Sequence, residues 1–304
     1  MKRLVAIVGP TAVGKSGLAL RLAQTINGEI VCADSRQVYR YMDIGTAKPS
    51  PEEQALVPHY LIDVVDPDQD FSIALYQQLA YQAIEGIHQR GKLALLVGGS
   101  GLYIWSVLEG WVIPRVPPDP RFRHDLVERA AKEGSLALYN ELREVDPAAA
   151  QRIDPRNVRR VIRALEVCRS GPPFSQLGRK EAPPFETSII GLTTEREDLY
   201  RRIDSRVDDM IGQGLVSEVH GLVERGYGFD LPAMSGIGYK QIGMFLREEV
   251  DLSVAIQQIK LESHRFARRQ YSWFHLNDER IHWFDVRGDI EKASIRIVRE
   301  ASKD

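Results

Sequence analysis

The chain has 304 residues, 43% of them hydrophobic and 27% charged, with a formal net charge of −2. This is the make-up of a soluble globular protein, long enough for one large domain or for a core that carries an insertion. No apolar run reaches the length of a membrane span, and the N-terminus leads straight into a strand pattern, so neither a membrane segment nor a secretory leader is expected. The two cysteines, Cys32 and Cys168, are too few for a disulfide framework or a zinc cluster. They read as buried, inert thiols in a reducing cytoplasm.

In chain order, Leu4–Val8 is an apolar run of the buried-strand type, followed at once by Gly9-Pro-Thr-Ala-Val-Gly-Lys-Ser16. That run fits G-x-x-x-x-G-K-[ST], the loop that cradles phosphate between a strand and a helix. A chain of this length would match by accident about one time in a hundred. Backbone N–H groups and a helix N-terminus favour an anion there, Lys15 adds a point charge, and Ser16 can hold Mg²⁺. Lys15–Ile26 follows as a helix, with apolar Leu18, Ala19, Leu22 and Ile26 on one face.

Further strands are expected at Glu29–Ala33, Tyr60–Val64 and Lys92–Val97, and a long helix at Ile73–Arg90 capped by Ser72. Alternating strand and helix predict an α/β fold with a parallel sheet flanked by helices. Ligands of such sheets sit at the carboxyl ends of the strands. Asp34 and Ser35, and the glycine turn Gly98–Gly101, should therefore face the phosphate loop. A nucleotide-hydrolysing enzyme usually places an acid at the end of a hydrophobic strand. Here Leu93–Val97 runs into Gly98-Gly-Ser-Gly101 instead, so the loop suits a phosphorylated donor. Asp34 ends a strand and can be read as a base or as a group near Mg²⁺.

Pro114, Pro117, Pro118 and Pro120 then break the pattern, and helices are expected near Arg121–Glu133, Leu136–Val145 and Asn157–Ser170. A second breaker cluster runs from Gly171-Pro-Pro173 to Pro183-Pro184. Residues 115–186 read as a mostly helical insertion between two parts of the core, 1–114 and 187–304. Ser188–Leu192 and Ile281–Val286 look like returning strands, with helices at Glu195–Gln213, Val216–Glu224 and Val254–Phe274.

A net charge near zero argues mildly against a nucleic-acid partner, but the charge is unevenly spread. Arg152, Arg156, Arg159, Arg160 and Arg163 cluster in the insertion, and Lys260, Arg265, Arg268 and Arg269 in the last long helix. Each group reads either as a solvated helix face or as a grip on a polyanion.

An ordered set of motifs narrows the choice. Alongside the phosphate loop stand Asp34-Ser-Arg-Gln-Val-Tyr39, Met42-Asp-Ile-Gly-Thr-Ala-Lys-Pro49, Pro58-His-Tyr-Leu-Ile-Asp63 and Gly98-Gly-Ser-Gly-Leu-Tyr103. Asn157-Val-Arg-Arg-Val-Ile-Arg-Ala-Leu-Glu166, Gly236-Ile-Gly-Tyr-Lys-Gln241 and Arg268-Arg-Gln-Tyr-Ser-Trp-Phe274 follow. Together they resemble the tRNA dimethylallyltransferases of bacterial type (tRNA isopentenyltransferases) over nearly the whole chain.

The resemblance implies a P-loop kinase-like core with a helical insertion. It implies transfer of a dimethylallyl group from dimethylallyl diphosphate to N6 of adenosine 37, beside the anticodon of tRNA, with Mg²⁺ as cofactor. It maps the catalytic base onto Asp34. It sets Ser100 where the family usually has a threonine, and makes Arg206 a clamp on the diphosphate beside Lys15. By its residues alone, Arg206 reads equally as a surface arginine paired with Asp208 or Asp209. The diphosphate would lie on Gly9, Thr11, Ala12, Val13, Gly14, Lys15 and Ser16.

The target base must be flipped out of its stack to reach the donor. Asp34, Ser35, Arg36, Gln37 and Ser100 would line its channel, with Arg36 or Gln37 on base edges. Arg123, Arg156, Arg159, Arg160, Arg163, Tyr239, Lys240, Arg268 and Arg269 would contact the RNA. Trp273 reads as core, His59 as structural, and Lys48 as either a phosphate contact or a cap on the sheet. A monomer in the cytoplasm is expected. Prenylation of free AMP, small-molecule phosphorylation, or RNA binding without catalysis are rival uses of the same loop.

Overall fold

The computed structural model describes residues 2–113, 116–171, 173–176 and 180–300. In chain order the elements are β1 (Arg3–Val8), α1 (Lys15–Ile26), β2 (Gly28–Cys32), α2 (Pro51–Leu56), β3 (His59–Tyr60), α3 (Ile73–Gln89), β4 (Leu93–Val97) and α4 (Gly101–Leu108). Next come α5 (Pro120–Glu133), α6 (Ser135–Val145), α7 (Pro147–Ala150) and α8 (Val158–Ser170). The chain continues through β5 (Glu186–Thr193), α9 (Arg196–Gly212), α10 (Leu215–Glu224), α11 (Tyr239–Leu246), α12 (Leu252–Gln270), β6 (Ile281–Asp285) and α13 (Ile290–Glu300). They form two compact units, residues 1–108 with 183–304, and residues 109–182.

The larger unit is built on a six-stranded sheet of order β3-β2-β4-β1-β5-β6, parallel throughout. Leu4–Val8 of β1 are each at most 2% exposed, the signature of a strand covered on both faces. On one face β1 meets Leu18, Ala19 and Leu22 of α1, Leu199 and Ile203 of α9, and Ala267 of α12. That packing fixes helices from distant parts of the chain against the central strand.

The fold expected from alternation is the one observed. Two details differ. The strand expected at Tyr60–Val64 is only His59–Tyr60, because Leu61 and Asp63 have φ of 66° and 55°, which no strand tolerates. Helix α4 was not expected. All of its residues but Leu102 are buried, so it lacks the polar stripe by which a surface helix is recognised.

The smaller unit gathers Leu126, Leu138, Leu142, Ile153, Val161 and Leu165 into its own core. Its bounds are 109 and 182, against the expected 115 and 186; the prolines at 114 and 172 lie outside the described residues. The unit closes earlier because its two ends clasp each other. Glu181 N–H donates to the Gly110 carbonyl at 2.9 Å, and Trp111 bridges Lys180.

Glu166, 1% exposed on α8, anchors this unit. Its carboxylate accepts the Asp119 N–H at 2.7 Å, two bonds from Arg123 at 2.9 and 2.8 Å, and one from Arg163. Burial alone would raise its pKa, but the bonds from Arg123, Asp119 and Arg163 hold it below the usual carboxylate range. Stability from this cluster is therefore present at neutral pH and is lost as pH falls through the lowered pKa. Glu166→Ala should lower the unit's unfolding free energy by about 2 kcal/mol in urea titrations. A fully buried pair would cost more, but the two arginines keep 41% and 30% of their side-chain surface in water. The difference between wild type and variant should shrink as the titration is repeated toward pH 3.

Candidate active site

The carboxyl ends of β1, β2 and β4 converge on one site. Past β1, Gly9 has φ of 140°, and a Cβ there would sit 2.4 Å from the Leu192 carbonyl oxygen of β5. Only glycine lets the loop leave the sheet so close to its neighbour. Ala12 (φ 62°) and Gly14 (φ 106°) are also left-handed. Such turns aim successive N–H groups inward and create a concavity for an anion. Helix α1 begins immediately after, so its positive end points into the same space. Val13 is 1% exposed, which leaves only its main chain to act there, whereas the Ser16 side chain is accessible.

Lys15 donates to the Pro10 carbonyl at 2.7 Å and forms no ion pair among the described residues. Its pKa falls to about 7, first through burial and then through the charge of Arg206, with Asp34 opposing. Arg206 projects from α9 on the face shared by Ile203, Val207 and Met210. Burial lowers its pKa too, and it forms no hydrogen bond or ion pair among the described residues. Asp208, one expected partner, is taken by Lys260 at 2.7 Å, and Asp209 acts on Arg206 only at a distance. Two desolvated cations that repel each other in a concavity of N–H groups make a site that an anion relieves.

Opposite the loop, Asp34 Oδ1 accepts the Arg36 N–H at 2.8 Å, a turn that leaves Oδ2 for a ligand. The Ser35 N–H donates to Ser100 Oγ at 3.1 Å, so the serine hydroxyl proton remains available to another acceptor. Gly98 allows this approach, since a Cβ there would lie 2.1 Å from the Ala33 carbonyl oxygen. Two adjoining cavities share Thr11, Ala12, Asp34 and Arg206. One, of about 300 Å³, is polar and reaches Lys15 and Ser16. The other, of about 380 Å³, is walled by Ile203, Val207, Met210, Ile237, Ile259 and Phe266, with Arg269 at its edge.

Several expected RNA contacts have other work. Gln37 is 8% exposed; its amide donates to the Thr46 and Ala47 carbonyls at 3.1 Å and accepts from the Cys32 thiol. Arg36 grips the Pro232 and Ala233 carbonyls at 2.8 and 3.2 Å. Both are engaged in internal contacts. Tyr239 is 1% exposed, and its hydroxyl donates to Glu218 at 2.6 Å; its neighbour Lys240 is exposed. Arg123 and Arg163 are bound to Glu166, as above. Arg156 precedes α8 and folds onto Asp154, so it does not share a helix face with Arg159 and Arg160. Those two are exposed on α8 with no recorded partner for their guanidinium groups, as are Arg268 and Arg269 on α12. Lys48 is an internal brace, 3% exposed between Asp43 and Asp63. Trp273, expected in the core, is 40% exposed because α12 ends at Gln270 and the chain turns outward.

Two supporting residues were not anticipated. Glu218 on α10 accepts the N–H groups of Asp43, Ile44 and Gly45 at 2.9, 2.7 and 3.1 Å, which holds the wall formed by Gly45–Ala47. Gln270 accepts the Thr11 N–H at 2.7 Å and donates to the Gly99 carbonyl at 2.9 Å. Gln270 stood inside a recognised motif; Glu218 carries no local signal, since the main-chain groups it holds lie more than 170 positions away.

A parallel sheet of this order, with a glycine loop after β1 and a helical unit inserted after α4, defines an α/β protein with a site at the carboxyl ends of its strands. The family model described as IPP transferase matches residues 37–277. The chain is 52% identical over 298 residues to a tRNA dimethylallyltransferase of Roseiflexus sp. (strain RS-1), covering 98% of both chains. It resembles the crystal structure of a tRNA isopentenylpyrophosphate transferase from Bacillus halodurans, with a TM-score of 0.73, 42% identity, and 99% and 96% of the two chains covered. A eukaryotic dimethylallyltransferase solved acting on tRNA gives a TM-score of 0.81 at 27% identity, over 99% of this chain and 78% of that one. The chain belongs to the IPP transferase family.

The lowered pKa of Lys15 makes anion binding proton-linked. Above pH 7 the empty site holds a largely neutral lysine, and a bound anion restores its charge. Inorganic pyrophosphate should therefore bind with proton uptake at pH 8, and less tightly as pH rises further. Calorimetry in buffers of different ionisation heat measures the uptake. Lys15→Met should remove it, which separates the lysine from the ligand's own titration.

Proposed function

We propose that this chain transfers a dimethylallyl group from dimethylallyl diphosphate to N6 of adenosine 37 in tRNA, as a monomer in the cytoplasm. The observation that carries this reading is the placing of two cations without an ion pair among the described residues, Lys15 and Arg206, in one cavity with the Asp34 carboxylate. An anionic leaving group and a nucleophile that must lose a proton fit that pairing. Family membership supplies the substrate class.

In the proposed reaction the N6 lone pair forms a bond to C1 of the prenyl group as the C1–O bond breaks. The electron pair leaves with the diphosphate. Loop amides, Lys15 and Arg206 stabilise the charge gathering there, a type of contribution worth about 10²–10³-fold per donor. Asp34 takes the N6 proton on its free oxygen, and Ser100 orients the reacting centre through its hydroxyl. The apolar cavity shelters the prenyl chain, and the flipped base reaches it past Asp34 and Ser35.

The loop offers the Ser16 and Thr11 hydroxyls, and the carboxylates of Asp34 and Glu53 line the same cavity. This small donor set suits Mg²⁺, which prefers substrate phosphate oxygens to a protein cage. Bound there, Mg²⁺ would neutralise diphosphate charge. Arg159 and Arg160 on the inserted unit, with Lys240, Arg268 and Arg269, are the proposed contacts to RNA phosphates.

The direct test is nucleoside mass spectrometry of unmodified tRNA incubated with protein, Mg²⁺ and dimethylallyl diphosphate, with AMP in parallel. A gain of one prenyl unit on adenosine 37 is expected; a gain on AMP alone would overturn the reading. Asp34→Ala should slow turnover by at least about a hundredfold while tRNA binding is kept. Arg160→Ala should weaken tRNA binding and reduce its salt slope by about one. By contrast, Arg163→Ala should act mainly through lower stability of the inserted unit.

A further inference from the structure

We propose that Gln270 is a positioning residue for this reaction, holding the glycine loop and the Ser100 turn at a fixed separation. The role rests on the reaction proposed above. The last main-chain rung between the adjacent strand ends is Gly98 N–H to the Ile7 carbonyl at 3.2 Å. Beyond it the chains diverge, one into the loop that would hold the leaving group and the other into the turn that bears Ser100. The Gln270 carboxamide fills the gap as a substitute peptide: its oxygen takes the Thr11 N–H and its nitrogen gives to the Gly99 carbonyl. A primary amide has the donor and acceptor that one more rung would need.

Burial makes the bridge rigid. Gln270 is 3% exposed, so breaking either bond strands a polar group away from water. Gly99 is shaped for the bridge as well. A Cβ there would stand 2.1 Å from Gln270 Nε2, so the carboxamide occupies the space a side chain would take. The bridge also divides the work of the loop. The Thr11 amide is spent on Gln270, which leaves the anion to the amides that follow it.

The test is a double-mutant cycle of Gln270→Met, which keeps volume but neither bond, and Gly99→Ala, which pushes the carboxamide aside. Steady-state KM and kcat for dimethylallyl diphosphate, tRNA affinity, and pyrophosphate affinity by calorimetry are the readouts. Each single variant should raise KM for the donor and lower kcat. The combined loss in kcat/KM should be about thirtyfold, with tRNA affinity within twofold of wild type. The double variant should be no more than about threefold worse than either single, because both remove the same bridge. Pyrophosphate should bind at least tenfold more weakly to Gln270→Met.

Kinetic constants within twofold of wild type, or losses that multiply in the double variant, would overturn the proposal. So would a loss confined to temperatures near the unfolding midpoint. If Gln270→Met does not fold, Gly99→Ala alone must still show the donor-specific loss. If wild type leaves tRNA unmodified, the reaction is wrong, and the pyrophosphate comparison alone decides whether Gln270 orders the loop.

Discussion

Two half-buried positive charges, with no carboxylate bonded to either among the described residues, are the constraint around which this site is arranged. Lys15 is tied only to a main-chain carbonyl, and Arg206 stands on the apolar face of α9 with no recorded partner. A folded protein tolerates such a pair only when a ligand completes it or when the surrounding packing over-determines it. Here the packing does so. Arg206 shares its helix face with Ile203 and Val207, which are buried, and Lys15 opens a helix whose apolar side lies on the central strand. The core that stabilises the sheet also prevents these cations from relaxing into solvent.

The parallel sheet explains why so few residues suffice. Strands β1, β2 and β4 are neighbours and run the same way, so the three segments that follow them emerge side by side. One brings the glycine loop, one Asp34, and one Ser100. Glycines at 9 and 98 allow main chains to approach more closely than a side chain would permit. Helices α9, α10 and α12 then supply Arg206, Glu218 and Gln270 from the second half of the chain. The smaller unit has its own core, with Glu166 at the centre of a buried ion cluster and Arg159 and Arg160 exposed on α8.

Features that depend on neighbouring residues were legible. The phosphate loop, the strands flanking it, the helical insertion and the returning half of the core followed from hydrophobic period, glycine placement and proline breaks. Asp34 and Ser100 were found because they follow strands whose direction the alternation implies. Helices without a polar stripe, such as α4, were not legible, since periodicity reports exposure and α4 has almost none. Which way a side chain turns was not legible. Arg36, Gln37, Arg123, Arg163 and Tyr239 have chemistry suited to RNA, yet each is drawn into a contact with a residue or main-chain group that no local pattern reveals.

By itself, the sequence determined the family, the α/β class, the glycine loop after the first strand and the acid that shares its cavity. These are set by short-range order along the chain, where spacing and backbone freedom act within one or two turns. Only the tertiary structure decided which arginines are committed to internal contacts and which stay exposed. It also decided that Gln270 spans two strand ends and that Trp273 faces outward. A side chain's hydrogen-bond partner is chosen by whatever packing brings within about 3 Å of it, and for these residues the partners come from segments far away in the chain.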